Sequence, residues 1–395
     1  MVVTPKIRGF ICTTSHPAGC RAAVEAQIAY TKSQPKTEGP KKVLVLGASM
    51  GYGLASRIAA TYSCGASTIG VIFDKPADGK RTGTAGWYNT AAFEEIAHKD
   101  GYYAKTINAD AYSNETKQQV INLIKQDFGK VDMVIYSLAA PRRTTPDGTV
   151  YTSVLKTTGQ AYTNKTIDLK TRKISEITIE PATEEEIEHT VKVMGGEDWK
   201  DWILALKTAD AIESEAVTVA YSYIGPELTH PMYYEGSIGR AKEHLLKTSK
   251  EITEEIPGVS AYISVNKALV TQSSAAIPIV PLYISILYKV MKEAGVHEGC
   301  IEQMYRLFHQ KLYGGEVLVD EEKRIRMDDL EMQPDIQKKV LELWKKINDD
   351  NLEEYSDIDG YWQDFYELFG FGLPNVDYGA DVNLSVPIES LQETK

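Results

Sequence analysis

Residues 43–57 read VLVLGASMGYGLASR. The apolar run at 43–46 predicts a strand buried on both faces, as in a parallel sheet. Gly47, Gly51 and Gly53 follow at G-x3-G-x-G spacing, and a helical pattern with small residues begins after them. Such a turn brings the backbone close to a diphosphate, which then faces the amides at the start of the helix. Because many glycine turns simply connect a strand to a helix, the sequence that follows must support this interpretation.

Strand-like and helix-like patterns alternate after the glycine turn. Further strands are predicted at residues 67–73, 102–107, 131–136, 216–223 and 260–266. This alternation predicts an α/β fold with a doubly wound parallel sheet. The glycine spacing is that of the short-chain dehydrogenase/reductase variant of the Rossmann fold.

Polar and small residues stand where these strands end. Asp74 lies about 20 to 30 residues past the glycines, where a carboxylate accepts hydrogen bonds from the adenosine ribose and repels a 2′-phosphate. It therefore favours NADH over NADPH, although a solvated carboxylate is the alternative. Asp110 is placed to bind the adenine amine, and the small residues at 137–141 allow the backbone to pass close to the cofactor ribose.

Length and composition indicate one folded unit with additions. The chain has 395 residues and 43% hydrophobic residues, enough for an ordinary core. We expect a single decorated Rossmann domain over 1–395, with an N-terminal extension at 1–40 and a helical C-terminal cap at 300–395. An insertion at 142–214 contains a hairpin pattern and helices, which either cover the active site or serve as packing decoration. The apolar stretch 273–293 is expected to be helical despite its two prolines.

The charge of the chain argues against several classes of partner. A net charge of −12 disfavours a nucleic-acid backbone or an anionic membrane surface. No apolar run is long enough to span a bilayer, and the start of the chain lacks the apolar core of a signal peptide. Four scattered cysteines suggest a reducing compartment, so we expect a cytoplasmic protein.

An N-terminal group of metal-ligating side chains is the one candidate for a metal site. Cys12, His16 and Cys20 are evenly spaced. However, no fourth ligand stands nearby, and Pro17 and Gly19 are expected to break the helix that would align the three. We therefore predict no metal.

A dinucleotide reductase of this build needs an acid beside the nicotinamide. A tyrosine commonly serves, with a lysine nearby that is expected to lower the pKa of the tyrosine electrostatically. The Y-x3-K match, Tyr288 and Lys292, falls on an apolar helix where a core tyrosine is the better explanation. Tyr233 and Lys242 are nine positions apart and would point apart on one continuous helix. They can meet if Tyr233 precedes the helix and Lys242 lies on its early turns.

The sequence between them permits that arrangement. Gly236 and Ser237 supply a break and a cap between Tyr233 and the helix. Tyr223, at the end of the strand 216–223, would face the same cleft.

The chain resembles the trans-2-enoyl-CoA reductase family, including its FabV-type enoyl-acyl-carrier-protein reductases, over nearly its whole length. Beside the Tyr233 and Lys242 pair, the resemblance is carried by GASMGYG at 47–53, GWYN at 86–89, YSLAAP at 136–141, VKVMGGEDW at 191–199, YSYIGP at 221–226 and VNKALVT at 265–271.

The resemblance implies NADH-dependent reduction of the carbon–carbon double bond of a 2-enoyl thioester. It implies that Tyr233 is the catalytic acid, that Lys242 is its partner and a cofactor ligand, and that Tyr223 contacts the substrate. Relatives often carry the longer Glu where this chain has Asp74, so the margin against NADPH is in doubt. The other residues implied to bind NADH are Gly47, Ala48, Ser49, Met50, Gly51, Tyr52, Phe73, Asp74, Asp110, Ala111, Leu138, Ala139, Leu269, Val270 and Thr271.

Two other functions are consistent with the same motifs. One is a short-chain dehydrogenase acting on a ketone or a 3-ketoacyl thioester, and the other is an NADH-binding sensor without turnover. For the enoyl reductase, the sequence leaves open the acyl chain length, the carrier (CoA or acyl-carrier protein) and a role in fatty-acid synthesis or fermentation. We expect a monomer, with a homodimer as the alternative.

Overall fold

The computed structural model describes residues 1–8 and 11–392. Its strands are β1 Ile7–Arg8, β2 Ile11–Cys12, β3 Lys42–Leu46, β4 Ser67–Ile72, β5 Ala104–Asn108, β6 Val131–Tyr136, β7 Arg142–Thr144, β8 Val150–Thr152, β9 Tyr162–Asp168, β10 Lys173–Ile179, β11 Ile212–Ser222, β12 Val259–Val265 and β13 Arg324–Arg326. Its α-helices are α1 Pro17–Ser33, α2 Gly51–Cys64, α3 Ala85–Lys99, α4 Asn114–Asp127, α5 Glu184–Met194, α6 Glu197–Thr208, α7 Ser237–Glu255, α8 Val280–Glu293, α9 Cys300–Arg306, α10 Pro334–Lys346, α11 Leu352–Tyr355 and α12 Ile358–Glu367. Short 3₁₀ segments lie at Glu227–Thr229, Ser274–Ala276 and Glu389–Leu391, and a π-helical turn at Leu307–Leu312.

A seven-stranded parallel sheet organises the molecule. Its order is β13-β12-β11-β6-β3-β4-β5. The sheet is built from the inner strand β3, extends through β4 to the edge strand β5, and then continues on the other side of β3 from β6. The order of strands therefore reverses between β3 and β6, and in doubly wound sheets a ligand crevice opens at the carboxyl ends there. The predicted α/β fold is confirmed.

The strands form where apolar residues are buried on both faces of the sheet. Residues 43–46 of β3 are fully buried, and helices cover the two faces. The five later strands of the prediction correspond to β4, β5, β6, β11 and β12. None of the described helices combines the length and hydropathy needed to cross a bilayer.

Three local predictions are wrong. The stretch 273–293 is not one helix: a 3₁₀ turn ends before Pro278, and α8 starts after Ile279, whose φ is +72°. The segment 300–395 is not wholly helical within its described part, since β13 adds the seventh strand beside β12. Its last three residues lie outside the described chain.

The third error concerns the N-terminal helix. Helix α1 begins at Pro17 and includes Gly19, because proline fits the first turn of a helix and the His16 side chain accepts a hydrogen bond from the Gly19 amide at 3.1 Å. Cys20 lies within this helix and is buried. Within 1–8 and 11–392, no group of three or more His, Cys, Asp or Glu side chains is arranged to hold a metal ion.

The insertion at 142–214 has the predicted hairpin and helices. Strands β9 and β10 pair antiparallel, and Thr183 begins α5 with a capping box to Glu186. Helix α6 buries Trp199 and Trp202 against the sheet.

Candidate active site

The β3–α2 turn brings the backbone into the crevice. Gly47 has φ +82°, and a Cβ atom on Gly53 would lie 1.9 Å from the Gly47 carbonyl oxygen. The turn therefore closes only with glycine at position 53. Among the described residues no side chain caps α2, which follows Met50. The first amides of a helix have no partner within it, and that end of a helix suits a diphosphate.

Tyr52 fastens this turn to a distant part of the chain. Its hydroxyl donates to the Lys267 carbonyl at 2.7 Å, just before the predicted NADH-binding residues 269–271. A Cβ atom on Gly51 would lie 4.0 Å from the Thr271 methyl group. The structure thus brings two predicted cofactor segments, about 220 residues apart in sequence, to the same side of the crevice.

Asp74 occupies the end of β4. Its carboxylate accepts a hydrogen bond from the Thr84 hydroxyl at 2.7 Å, and it lies against Gly86 in the first turn of α3. Asn108, the last residue of β5, exchanges two hydrogen bonds with the Asp74 backbone, both 2.9 Å long. Beside it the Phe73 ring is 80% exposed, which is unusual for phenylalanine and leaves a flat apolar surface available for a base.

The remaining predicted cofactor residues follow β5 and β6. Asp110 accepts a hydrogen bond from the Tyr112 amide at 3.0 Å, and Ala111 is buried beside it. Leu138 approaches the Gly47 turn, while Ala139 is exposed. Together with the β3 and β4 segments, these residues line the carboxyl ends of four neighbouring strands.

Tyr233 precedes α7 and Lys242 lies on its early turns, which is the placement that would allow the two side chains to meet. Tyr233 lies in the loop between the 3₁₀ turn Glu227–Thr229 and α7, and Lys242 lies on the second turn of α7. Gly236 is the N-cap of α7, whereas Ser237 is its first helical residue and not a cap. The Ser237 hydroxyl instead donates to the Val154 carbonyl at 2.6 Å.

Three side chains gather at the carboxyl end of β11. The rings of Tyr223 and Tyr233 meet edge to face with centroids 5.0 Å apart. The Lys242 ammonium donates to the Tyr221 carbonyl at 3.1 Å, on the strand that leads to Tyr223. Tyr221 in turn hydrogen-bonds Ser56 of α2, which joins this cluster to the glycine turn.

Burial governs the ionisation of the pair. It raises the pKa of Tyr233 to about 12 and lowers the pKa of Lys242 to about 8. The sequence led us to expect Lys242 to lower the pKa of the tyrosine, but burial dominates here. Tyr233 is therefore protonated at neutral pH and suited to donate a proton or hydrogen bond.

The insertion braces the loop that carries Tyr233. The Ser237 amide donates to the Lys156 carbonyl at 2.9 Å, and the Tyr162 hydroxyl donates to the Leu228 carbonyl at 2.8 Å. The insertion thus contacts the residues at both ends of the loop.

The alternative Y-x3-K pair belongs to the core. Tyr288 is fully buried, and its hydroxyl accepts from the Val270 amide at 3.1 Å. Lys292 points to the surface and pairs with Asp357 at 2.6 Å.

Glu331 is the side chain at this site that the sequence did not indicate. It follows β13, is completely buried, and accepts hydrogen bonds from Tyr223 and Tyr283. In the sequence it stands in the acidic turn DDLEM at 328–332, which is typical of a solvated surface. Its partner Tyr223 is 108 residues away.

Three family models match the chain. The NAD(P)H binding domain of trans-2-enoyl-CoA reductase matches residues 2–79, the catalytic region of the same enzyme matches 81–313, and an enoyl reductase FAD binding domain matches 319–382.

Curated relatives and solved structures resemble it over their full length. A trans-2-enoyl-CoA reductase (NADH) of Ruminiclostridium cellulolyticum is 57% identical, over 99% of this chain and 100% of the relative. An enoyl-acyl-carrier-protein reductase (NADH) of Flavobacterium johnsoniae is also 57% identical, over the same shares. A crystal structure of Clostridium acetobutulicum trans-2-enoyl-CoA reductase with NADH superposes with a TM-score of 0.95 at 47% identity, covering 97% of this chain and 98% of that one. A Treponema denticola structure with NAD has a TM-score of 0.93 at 49% identity, with the same coverage.

The third family model carries FAD in its description, and residues 319–382 do not fit that group. The sequence has no glycine between Gly315 and Gly360, so the turn from β13 to α10 lacks the close backbone approach that a dinucleotide needs. The buried carboxylates of Asp328 and Glu331 stand in that turn, where a diphosphate would meet like charge.

Proposed function

The chain belongs to the trans-2-enoyl-CoA reductase family, and on that premise we propose that it reduces the C2=C3 bond of trans-2-enoyl thioesters with NADH. Its full-length similarity to NADH-dependent relatives carries this proposal. The geometry supports it, because the Tyr233 ring contacts Tyr223 directly after β11, and Tyr221 of that strand is hydrogen-bonded to Ser56 of α2, which follows the glycine turn.

The residues at the strand ends fit NADH. With NADH bound, the α2 amides and the Gly47 turn would hold the diphosphate, Asp74 would hold the adenosine ribose, and Leu269 to Thr271 would line the same site. Bound NADH supplies the hydride that adds to C3 of the substrate.

Tyr233 supplies the acid. As C3 gains the hydride, negative charge develops on the thioester oxygen, and the Tyr233 hydroxyl donates a hydrogen bond or proton to it. Because the pKa of Tyr233 is about 12, the phenol keeps its proton at neutral pH until that charge appears. C2 then takes up one proton from solvent, and any proton that Tyr233 gave to the oxygen returns to it, so that the saturated thioester gains one hydride and one proton in all.

Lys242 would supply a positive charge near this oxygen and would bind the cofactor ribose. Its ammonium is aligned by the Tyr221 carbonyl, 3.1 Å away. Tyr223 lines the substrate side, with its ring against the Tyr233 ring.

The substrate is a thioester whose carrier is CoA or acyl-carrier protein. Relatives of equal identity are named for each carrier. We place the reaction in the cytoplasm, supported by four cysteines that are all free thiols, and we expect a monomer.

NADH oxidation with crotonyl-CoA is the test of the reaction. Turnover of crotonyl-CoA, with little turnover of acetoacetyl-CoA, distinguishes enoyl reduction from ketone reduction. Crotonyl-acyl-carrier protein in parallel identifies the carrier. NADH binding without oxidation by any of these thioesters would reject the proposal in favour of a sensor.

Tyr233→Phe tests the acid, with Tyr234→Phe as its matched control. Tyr234 is the next residue and is 40% exposed. We expect Tyr233→Phe to lower kcat by about 10² or more while the Kd for NADH stays within about twofold. Tyr234→Phe should retain wild-type kcat. A near-normal kcat in Tyr233→Phe would refute the assignment.

A further inference from the structure

Glu331 lies between the two sides of the active site. It occupies the turn between β13 and α10, and its side chain is completely buried. An isolated carboxylate is costly to bury, so its contacts should account for its position. Each carboxylate oxygen has hydrogen-bond donors.

One oxygen faces the substrate side. Oε1 accepts from the Tyr223 hydroxyl at 3.1 Å and from the Tyr283 hydroxyl at 2.7 Å. Tyr223 in turn contacts the ring of Tyr233. Because a phenol has a single hydrogen, Tyr223 cannot donate to the thioester oxygen while it donates to Glu331. Tyr233 is then the tyrosine whose proton is left for that oxygen.

The other oxygen faces the cofactor side. Oε2 accepts from the Ala268 amide at 2.7 Å, immediately before the residues 269–271 that are proposed to bind NADH. Lys267, the preceding residue, is buried, and its carbonyl accepts from Tyr52 of the glycine turn. A single carboxylate therefore links Tyr223 to the backbone of the cofactor segment.

Positive charge nearby compensates the buried carboxylate. Burial raises the pKa of Glu331, and this is opposed by the Lys267 charge and by hydrogen bonds from Tyr283 and the Ala268 amide. Lys267 lies over the Tyr288 ring, whose hydroxyl meets the Val270 amide. The polar groups under the crevice thus form one connected set.

Resting on the proposed enoyl reductase activity, we propose that Glu331 is a positioning residue that fixes Tyr223 relative to the NADH segment 268–271. It touches neither the thioester nor the hydride path itself. Its contribution is to hold the substrate and cofactor sides at one spacing, on which the hydride transfer geometry depends. On this proposal the segment 319–382, which matches the FAD-binding family model, contributes to catalysis without a flavin.

Glu331→Gln tests this role, because the amide keeps the size of the side chain but places a donor against either the tyrosine hydroxyls or the Ala268 amide. We expect kcat/KM for crotonyl-CoA to fall about tenfold or more. Asp328→Asn is the matched control: Asp328 is equally buried in the same turn but pairs with Arg326 at 2.6 Å. That variant should keep kcat/KM within about threefold of the wild-type value, even if its melting temperature falls as much as that of Glu331→Gln.

A double-mutant cycle with Tyr223→Phe separates positioning from general damage. If Glu331 acts through Tyr223, its substitution costs clearly less in the Tyr223→Phe background than in the wild type. Full additivity of the two losses would overturn the proposal.

Glu331→Asp covers the case in which Glu331→Gln does not fold. The shorter side chain keeps the charge but withdraws it from its three donors, so kcat/KM should fall again. Wild-type kcat/KM in this variant would also overturn the proposal. Turnover by the wild-type chain in the same assay tests the enoyl reductase activity separately.

Discussion

Lys242 is the residue whose charge should set the pH dependence of the reaction. Burial lowers its pKa to about 8, so the ammonium is present below that value and is lost as the pH rises through it. We therefore expect kcat/KM to fall about tenfold between pH 7 and pH 9, measured by initial rates of NADH oxidation.

The matched control lies on the same helix. Lys247 is exposed and pairs with Glu251, so Lys247→Met should keep the wild-type profile. Lys242→Met should be slow and show no inflection near pH 8. A wild-type profile that stays flat to pH 10 would contradict the role of this ammonium.

Asp74 should decide the choice between NADH and NADPH. Its carboxylate is fixed by Thr84 at the first turn of α3, where a 2′-phosphate would meet a like charge. In Asp74→Asn we expect the ratio of kcat/KM for NADH to that for NADPH to fall about tenfold, chiefly through a lower KM for NADPH.

The exposed Asp78 in the following loop serves as control. It accepts hydrogen bonds from the Lys80 and Arg81 amides, and Asp78→Asn should leave the ratio unchanged. The same ratio in Asp74→Asn and the wild type would show that specificity is set elsewhere.

The positions of individual site residues could be predicted where the local sequence determines them. Asp74 lies two residues after β4, Tyr233 lies four residues before α7, and Lys242 lies on the second turn of α7, close to the boundaries of elements that the local sequence predicts. Glu331 was missed because its meaning comes from Tyr223 and Ala268, which are distant in sequence. The direction of the Tyr233 pKa shift was wrong because burial in the fold, which a sequence does not show, raises this pKa.

Among the elements, the β3–α2 turn is the most sensitive to substitution. A Cβ atom on Gly53 would lie 1.9 Å from the Gly47 carbonyl oxygen, so Gly53→Ala must open the turn. We expect the affinity for NADH to fall about tenfold or more, measured by quenching of protein fluorescence.

Gly65→Ala is the control, at the other end of α2. Gly65 has φ +69° and no atom within 4 Å of an added Cβ. It should cost about 1 kcal/mol of stability without changing the affinity for NADH. Equal losses of affinity in the two variants would show that α2 as a whole, and not the turn, determines binding.

Helices and strands were predicted correctly where apolar runs are long, and wrongly where tertiary contacts determine the local structure. The buried run of β3 and the run of β6 were found at once. Strand β13 has three residues, two of them arginines, and it forms by pairing with the edge of β12. The break at Pro278 was overlooked since the apolar pattern continues through it.

At the scale of the molecule, the C-terminal part of the chain covers both edges of the sheet. Strand β13 completes one edge. At the other, the Thr106 amide of β5 donates to the Ser390 hydroxyl at 2.9 Å, and Trp87 of α3 donates to the Val386 carbonyl at 2.7 Å. This arrangement supports our expectation of one domain, because Val386 and Ser390 near the end of the described chain contact α3 and β5.

Glu94 joins this C-terminal segment to the core. It is completely buried, lies 3.8 Å from the guanidinium of the buried Arg57, and accepts from the Ser390 hydroxyl at 2.9 Å and its amide at 3.1 Å. Replacing Glu94 by Gln leaves the Arg57 charge buried without its carboxylate, which typically costs about 3 kcal/mol or more. We expect the unfolding midpoint in denaturant to fall accordingly.

Ellipticity and tryptophan fluorescence should report the loss of stability in Glu94→Gln together. If the chain is one cooperative unit, ellipticity and tryptophan fluorescence follow a single transition in the wild type, and both shift equally in Glu94→Gln. Glu95→Gln is the neighbouring control: its carboxylate is half exposed and pairs with Arg21, so its loss should cost at most about 1 kcal/mol. A Glu94→Gln transition that splits, with the sheet still folded, would show that the C-terminal segment unfolds separately and that the single-domain expectation is wrong.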